Sequence, residues 1–585
     1  MKTTLITILL YFSLLSLSNA QVGINTNTPQ GALDVVSSDQ GLVLPRVSDI
    51  NNVTDGQGNA PVDGTMVYDT STNSFCFRAA GQWVCTDATG TTTVIVPSAP
   101  PPFDGSSTSD YIKASNTEPN DQFGLDIDLS SDGNTLAVSA WFESSNATGV
   151  DGDQTNNAFL RSGAVYVYTR SGSNWTQQAY VKASNTNINA QFGFSLSLSN
   201  DGNILAVGAR GDRSGSPGIG GDQTDVSQPA SGAVYIFSRT GTNWAQTEFI
   251  KASNPELQDG FGWSVDLSGD GNTLAVSAPY EDSNAAGING NQNDNSLTNS
   301  GAVYIFKQAG SVWSQQAYIK ASNPDQNDEF GFNIALSSDS NTLVISAKNE
   351  SSNATSINGN QSNNSSLGSG AAYVFTYNAG TWSQEAYLKA SNANQGDQFG
   401  RSVAISSDGN TIAVGAMEEN SNATGINGDE ANNSLTRAGA AYIFVRNAGI
   451  WTQEAYVKAS NTDAGQELGF SIALNSDGNK LAVGAISEGS NSTGINGDQN
   501  NTLALSSGAV YVFARNGTNW AQEAYVKATN TASGNSFGTS VALSANGDTI
   551  AIGSPNEASN ATGINGDQNN VSATGAGAAY IYSTN

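Results

Sequence analysis

Tyr180-Val181-Lys182-Ala183-Ser184-Asn185 is one copy of a pattern that the chain repeats at a constant interval. Aromatic-aliphatic-Lys-Ala-Ser/Thr-Asn begins at Tyr111, Tyr180, Phe249, Tyr318, Tyr387, Tyr456 and Tyr525, each 69 residues after the last. Phe-Gly keeps the same step at Phe123, Phe192, Phe261, Phe330, Phe399 and Phe537, and reads Leu468-Gly469 once. Gly-Ala, then Val or Ala, then Tyr starts at Gly163, Gly232, Gly301, Gly370, Gly439, Gly508 and Gly577. A fixed long period is the mark of a repeat architecture, so one unit determines the rest.

Within a unit the signals are those of strands. Phe123 to Ser130 and Thr135 to Ala140 flank Asp132-Gly133, a hairpin; a loop of about twenty residues leads to Gly163 to Thr169, a turn at Ser171-Gly172, and Trp175 to Ala183. Four strands per unit and no helical period predict an all-β fold. A lone four-stranded meander cannot cover both faces, so seven copies predict a seven-bladed β-propeller. The alternative, an open solenoid, fits the ends less well. The last copy stops before its fourth strand and the first begins with a spare one, so Asp110 to Ser115 is expected to complete the blade built from Phe537 to Tyr582.

Phe-Gly, then Leu205-Ala206-Val207-Gly208-Ala209, then Gly232-Ala233-Val234-Tyr235 resembles the FG-GAP repeat of integrin alpha-subunit propellers and their bacterial relatives. The resemblance implies a ring closed by its N-terminal strand and used for binding in adhesion. It also implies a ligand face built from the second-to-third-strand and fourth-to-first-strand loops. Integrin-like repeats carry calcium in the first hairpin, but here that hairpin is Ser131-Asp132-Gly133-Asn134, with one carboxylate, and is read as a turn.

The long loop offers more oxygen. An acid recurs at Glu143, Asp212, Glu281, Glu350, Glu419, Glu488 and Glu557. Eight and ten positions later stand Asp151 and Asp153, Asn289 and Asn291, Asn427 and Asp429, Asn496 and Asp498, or Asn565 and Asp567. Two readings stand: a calcium site made of the acid and the Asx-Gly-Asx pair, or an Asn-Gly turn with solvated acids. The recurring Lys182 and its copies read as edge-strand lysines that discourage stray pairing. The Trp at Trp175, Trp244, Trp313, Trp382, Trp451 and Trp520 reads as packing between blades.

The repeats begin at residue 110. Before them, 21–90 reads as a small β-rich module and 91–109 as a linker stiffened by Pro97, Pro100, Pro101 and Pro102. Val22-Gly23-Ile24-Asn25-Thr26, Pro29 and Leu33-Asp34-Val35 resemble the start of modules in bacterial surface proteins and phage tail fibres, which implies self-association as a homo-oligomer. A hairpin turning at Ala80-Gly81 sets Cys76 opposite Cys85, and a disulfide is expected there as a staple.

Lys2, the apolar run Leu5 to Leu17 and Ser18-Asn19-Ala20 read as a signal peptide over 1–20, with Gln21 the first residue of an exported chain, secreted or held at the cell surface. No later segment is apolar enough to span a membrane. The 585 residues hold 51 Asp plus Glu against 22 Lys plus Arg and no histidine. The surplus of carboxylates disfavours nucleic acid, and the missing imidazole excludes the familiar His-dependent triads and metal sites. Catalysis needs unlike groups at one point, whereas near-identical copies build one surface seven times. The expectation is a non-enzymatic binding or adhesion protein for a protein or glycan ligand, with calcium as its cofactor on the first reading of the loops. The alternatives are a glycan hydrolase using a carboxylate pair, and a passive surface component.

Overall fold

The computed structural model describes residues 102–584 without a break and, before them, 22–24, 33–35, 46–47, 65–70, 74–79, 82–87 and 92–95. The signal-peptide segment 1–20, Gln21 and the linker prolines Pro97, Pro100 and Pro101 lie outside the described residues. The chain divides into two compact units, Met1–Ala99 and Pro100–Asn585. Among the described residues every named element is a strand, and no helix is long and apolar enough to cross a membrane.

In the first unit Arg46–Val47 runs parallel to Met66–Asp69, which continues antiparallel through Ser74–Ala79, Gln82–Asp87 and Thr92–Ile95. Cys76 faces Cys85 directly, their Cα atoms 4.0 Å apart, and the two are joined by a disulfide. The strand period of two buries Val67 with both cysteines on one side and leaves Met66, Phe75 and Phe77 exposed on the other.

The second unit repeats one antiparallel meander. In its second copy Phe192–Leu198, Ile204–Ala209, Ala233–Thr240 and Asn243–Ile250 pair in order, and seven such sheets follow one another. The sixth gains a two-residue fifth strand, Gly494–Ile495, on its outer edge. The last copy supplies three strands, and its fourth is Thr108–Ile112, paired antiparallel to Ala578–Ser583.

Alternation decides what each face meets. In Ala164–Ser171, Val165 and Val167 join Phe192, Val207, Tyr235 and Trp244 of the following sheet, while Tyr166 and Tyr168 join Ile112, Ala579 and Ile581 of the last sheet. The core therefore lies between sheets, and burying each such side chain contributes about 1.5–3 kcal/mol. The Phe-Gly and Gly-Ala signatures meet at the same seam. Gly163 is held at φ +83, and a Cβ there would lie 2.0 Å from the carbonyl oxygen of Phe192, so only glycine permits the approach. Phe192 N–H donates to Ser162 O at 3.0 Å, and Phe123 N–H to Ala576 O at 3.0 Å.

The first strands of successive sheets lie against one another, and that of the seventh lies against that of the first. Beyond each first strand, the hairpin residue in successive copies is linked to the next. Ser131 N–H donates to Asn200 O, Asn200 to Gly269, Gly269 to Ser338, Ser407 to Ser476, Ser476 to Ala545, and Ala545 back to Ser131, each at 2.9–3.0 Å. Ser338 and Ser407 are linked through their hydroxyls at 3.0 Å. A cavity of about 480 Å³ is lined by the first strands of all seven sheets.

Side chains also cross between first strands. Asp126 accepts from Leu196 N–H at 2.8 Å, Asp128 from Leu198 N–H at 2.7 Å, and Asp266 from Leu336 N–H at 2.7 Å; Asn333 plays the same part for Val403 N–H at 2.8 Å. Burial pushes the carboxyls of Asp126 and Asp266 up to about 7 and that of Asp128 up to about 6. An acid raised in the native state binds more protons there than in the unfolded chain, whose carboxylates titrate near 4. Stability from these groups is therefore greatest at low pH and falls as pH rises from about 4 through about 7. Melting is expected at higher temperature at pH 5 than at pH 8. Replacing all three by Asn, the residue already serving at 333, should reduce that slope in calorimetric scans, and burial-raised Asp121, Asp259, Asp328 and Asp397 should carry the remainder; an unchanged slope would place its origin elsewhere.

Candidate functional site

The lysine of the repeating hexapeptide is not an exposed edge residue, as its place on the outermost strand suggested. Lys182 is fully buried with its Nζ 2.7 Å from Glu143, the acid of the long loop 39 residues earlier. All seven copies pair in this way: Lys251 with Asp212, Lys320 with Glu281, Lys389 with Glu350, Lys458 with Glu419, Lys527 with Glu488, and Lys113 with Glu557. Burial pulls each lysine below its ordinary range, and the adjacent carboxylate acts in the opposite direction.

The asparagine closing the hexapeptide reaches the following sheet. Asn116 donates to Glu143 at 3.2 Å and accepts from Tyr166 O–H; Asn254 does the same with Glu281 at 3.1 Å and Tyr304 at 2.7 Å. One carboxylate is thus held by the lysine of its own sheet and the asparagine of the sheet before it. Because Asn116 follows the strand borrowed by the last sheet, the last sheet is latched to the first by the same bonds as any other pair. The serine between them adds a link, as in Ser184 to Gln223 and Ser253 to Gln292.

The other loop oxygens are also engaged, locally. Asp151, Asn289, Asn427, Asn496 and Asn565 sit at φ between 53 and 56, the left-handed region that Asn and Asp tolerate best. Each side chain accepts the N–H of the outer-strand aromatic, Asp151 from Tyr180 and Asn289 from Tyr318, both at 2.9 Å, while its own N–H donates back to that residue's carbonyl. The pair of bonds imitates one rung of a sheet and blunts the outer edge. Asp153, Asn291, Asp429, Asp498 and Asp567 accept the N–H two residues on, as Asx turns do. These residues do not fit the calcium shell for which the sequence offered them: the acid is committed to lysine, the Asx pair shapes the turn, and among the described residues no three acids gather around one point. Glu418 and Glu419, adjacent in sequence, serve different cations, Arg437 at 2.8 Å and Lys458 at 2.8 Å.

The repeat loses its sameness at one end of the central cavity. The residue two after each Phe, or after Leu468 in the sixth copy, reads Leu125, Phe194, Trp263, Phe332, Arg401, Phe470 and Thr539; the residue two before each locked acid reads Trp141, Arg210, Pro279, Lys348, Met417, Ile486 and Pro555. Brought together, these positions form an arc of stacked rings and cations. Trp141 packs on Phe194 at 5.3 Å, Phe194 on Trp263 at 4.8 Å, and Trp263 on Phe332 at 5.6 Å and Tyr280 at 5.2 Å. Arg210 lies 4.0 Å over Phe194 and 4.7 Å over Trp263; Arg401 lies 3.9 Å over Phe470 and 5.2 Å over Phe332. Burial between those rings pulls the Arg401 guanidinium down to about 10. Sequence reading passed over these residues because it sought what the copies share. The signal for them was the departure from the repeat.

The recurring Trp belongs to the seams between sheets: Trp244 is buried and donates to Gln178 of the preceding sheet at 2.9 Å, with Arg239 stacked on it.

Removing one partner of a lock strands the other charge in the seam. Lys320→Met is expected to cost about 3–5 kcal/mol, and Lys320→Met with Glu281→Leu to recover most of it, in chemical denaturation. Equal losses in both would mean that the hydrogen bonds around Glu281, and not its charge, carry the effect. Millimolar calcium followed by chelator should move the melting temperature by less than about one degree, since a ligand that binds no native site shifts nothing. A rise of several degrees would return the loops to the metal reading.

Comparison with known families finds the FG-GAP repeat at residues 175–237, 244–306, 313–375, 382–444 and 520–582. The phage tail like trimerisation region matches residues 23–95. No curated protein matches. Among solved structures, the Kuenenia stuttgartiensis hydrazine synthase is similar at 12% identity over 74% of this chain and 92% of that one, with a TM-score of 0.42.

Proposed function

The chain belongs to the FG-GAP repeat family, and from that membership we propose an exported, surface-displayed binding protein without catalytic activity, its seven sheets closed into a seven-bladed propeller. Closure is supported by the strand Thr108–Ile112 in the last sheet and by the hydrogen bond from Ala545 back to Ser131. The ligand, a protein or a glycan, is taken on the face made by the second-to-third-strand and fourth-to-first-strand loops. One observation carries this reading. The locks recur in every sheet, as a scaffold requires, while the residues at one end of the cavity, next to those loops, differ from copy to copy. Binding is expected to need no metal, because the loop acids are bound to lysines.

The test is binding of the mature chain to defined glycans and purified surface proteins by interferometry, with and without chelator. Saturable binding that survives chelation, and that falls on Trp141→Ala or Arg401→Gln but not on Asn134→Ala in a first hairpin, is the expected result. Loss through Asn134→Ala alone, or turnover of a bound glycan, overturns the reading.

A second element concerns the first unit, where the trimerisation match coincides with an apolar face. Met66 stands opposite Phe77 and Tyr68 opposite Phe75 on adjacent strands, with Met66, Phe75 and Phe77 exposed. Three copies associating through this face would present three binding surfaces and gain avidity. Light scattering should give a trimer that Phe75→Asp with Phe77→Asp reduces to monomer; a monomeric parent chain would refute it.

A further inference from the structure

Between the second and third sheets the aromatic arc opens into a cleft of about 630 Å³. Trp263 and Tyr280 line it, Arg210 and Arg213 enter from the second sheet's long loop, and Gln191 and Asn299 stand among its polar lining. The volume falls within the range of small-ligand sites.

Arg210 differs from the arginines of the seams. Arg239, Arg446 and Arg515 each reach an asparagine of their own sheet and a Gln or Glu of the preceding one. Arg210 donates through Nε to Gln191 at 2.7 Å, and among the described residues its two terminal nitrogens have no hydrogen-bond acceptor and no carboxylate. It packs against Phe194 and Trp263, whose rings touch each other, and it is partly exposed at the cleft. A guanidinium held at Nε by Gln191 and packed on two rings, with its paired terminal donors unengaged, is ready for bidentate recognition of a planar or tetrahedral anion. The exposed Arg213 adds a second positive charge three residues on. These cations stand in a chain of formal charge -29, and no other copy has arginine at either position.

We propose that this cleft binds one charged sugar unit of an acidic polysaccharide, its carboxylate or sulfate on Arg210 and Arg213 and its ring against Trp263 and Tyr280. The proposal rests on the reading of the loop face as the binding face. An acidic peptide is the weaker match. It brings carboxylates, as an acidic polysaccharide also does, whereas the sugar ring adds apolar C–H faces for the aromatic rings and hydroxyls for the amides at Gln191 and Asn299.

The test is calorimetric titration of the full mature chain with a hexagalacturonate and a sulfated chondroitin hexasaccharide, with cellohexaose as neutral control. Binding of at least one acidic oligosaccharide is expected, with a change in Trp fluorescence. Affinity should fall about tenfold or more in Arg210→Gln, as for loss of a charge-assisted hydrogen bond, and less in the exposed Arg213→Gln, which leaves folding undisturbed. Equal binding of the neutral sugar, or full displacement by a poly-glutamate peptide at the same charge concentration, would overturn the sugar assignment. Binding that survives both substitutions but falls in Trp141→Ala or Arg401→Gln would sink this cleft and leave the loop face intact. Binding by none of the three sugars would also refute the proposal, while the interferometry with proteins would still decide the broader reading.

Discussion

A buried lysine facing a buried carboxylate holds each sheet to itself and to its neighbour. Neither charge could stay in the seam alone, because removing an ion from water costs several kcal/mol that only a close counter-charge and further hydrogen bonds return. The chain meets this demand with one short segment. Lys182 supplies the counter-charge for Glu143, and three residues on Asn185 supplies the hydrogen bond to Asp212 of the next sheet. Each acid is consequently a point where two sheets must both be in place. Replacing such a buried pair by well-packed apolar side chains is often neutral or stabilising, so what the pair adds is the direction of its bonds.

That constraint explains how nearly identical sheets avoid slipping. A seam of Val, Tyr and Ala alone would tolerate small shifts along the strand, since apolar contact is non-directional. The lock, the Gly163 approach to Phe192 and the Asp126 bond to Leu196 N–H fix three heights along the same seam. With the register set by repeated elements, positions outside the lock are free to diverge. Leu125, Phe194, Trp263, Phe332, Arg401, Phe470 and Thr539 differ from copy to copy, and none of them belongs to the lock. The aromatic and cationic arc therefore stands on sheets whose register is set by the repeated elements.

Much of this was legible in the residues. The 69-residue period, the four strands of each copy, the strand borrowed by the last sheet and the Cys76–Cys85 pairing all follow from spacing and alternation, which are properties of a linear pattern. The Asn-Gly turn was legible as one of two readings of the loop. What misled was the lysine: its place on an outer strand suggested an exposed edge, and nothing local indicated that a loop 39 residues earlier would fold back to cover it.

The sequence by itself determined the repeat, its strands and its ends, because hydrogen-bonded turns and two-residue alternation act over a few residues. Only the tertiary structure decided that Lys182 meets Glu143, that the loop acids are committed to lysines and turns, and that Arg210 comes to lie against Phe194 and Trp263 near Tyr280. Those contacts join residues far apart in the chain, and their chemistry exists only once the seam between neighbouring sheets has excluded water.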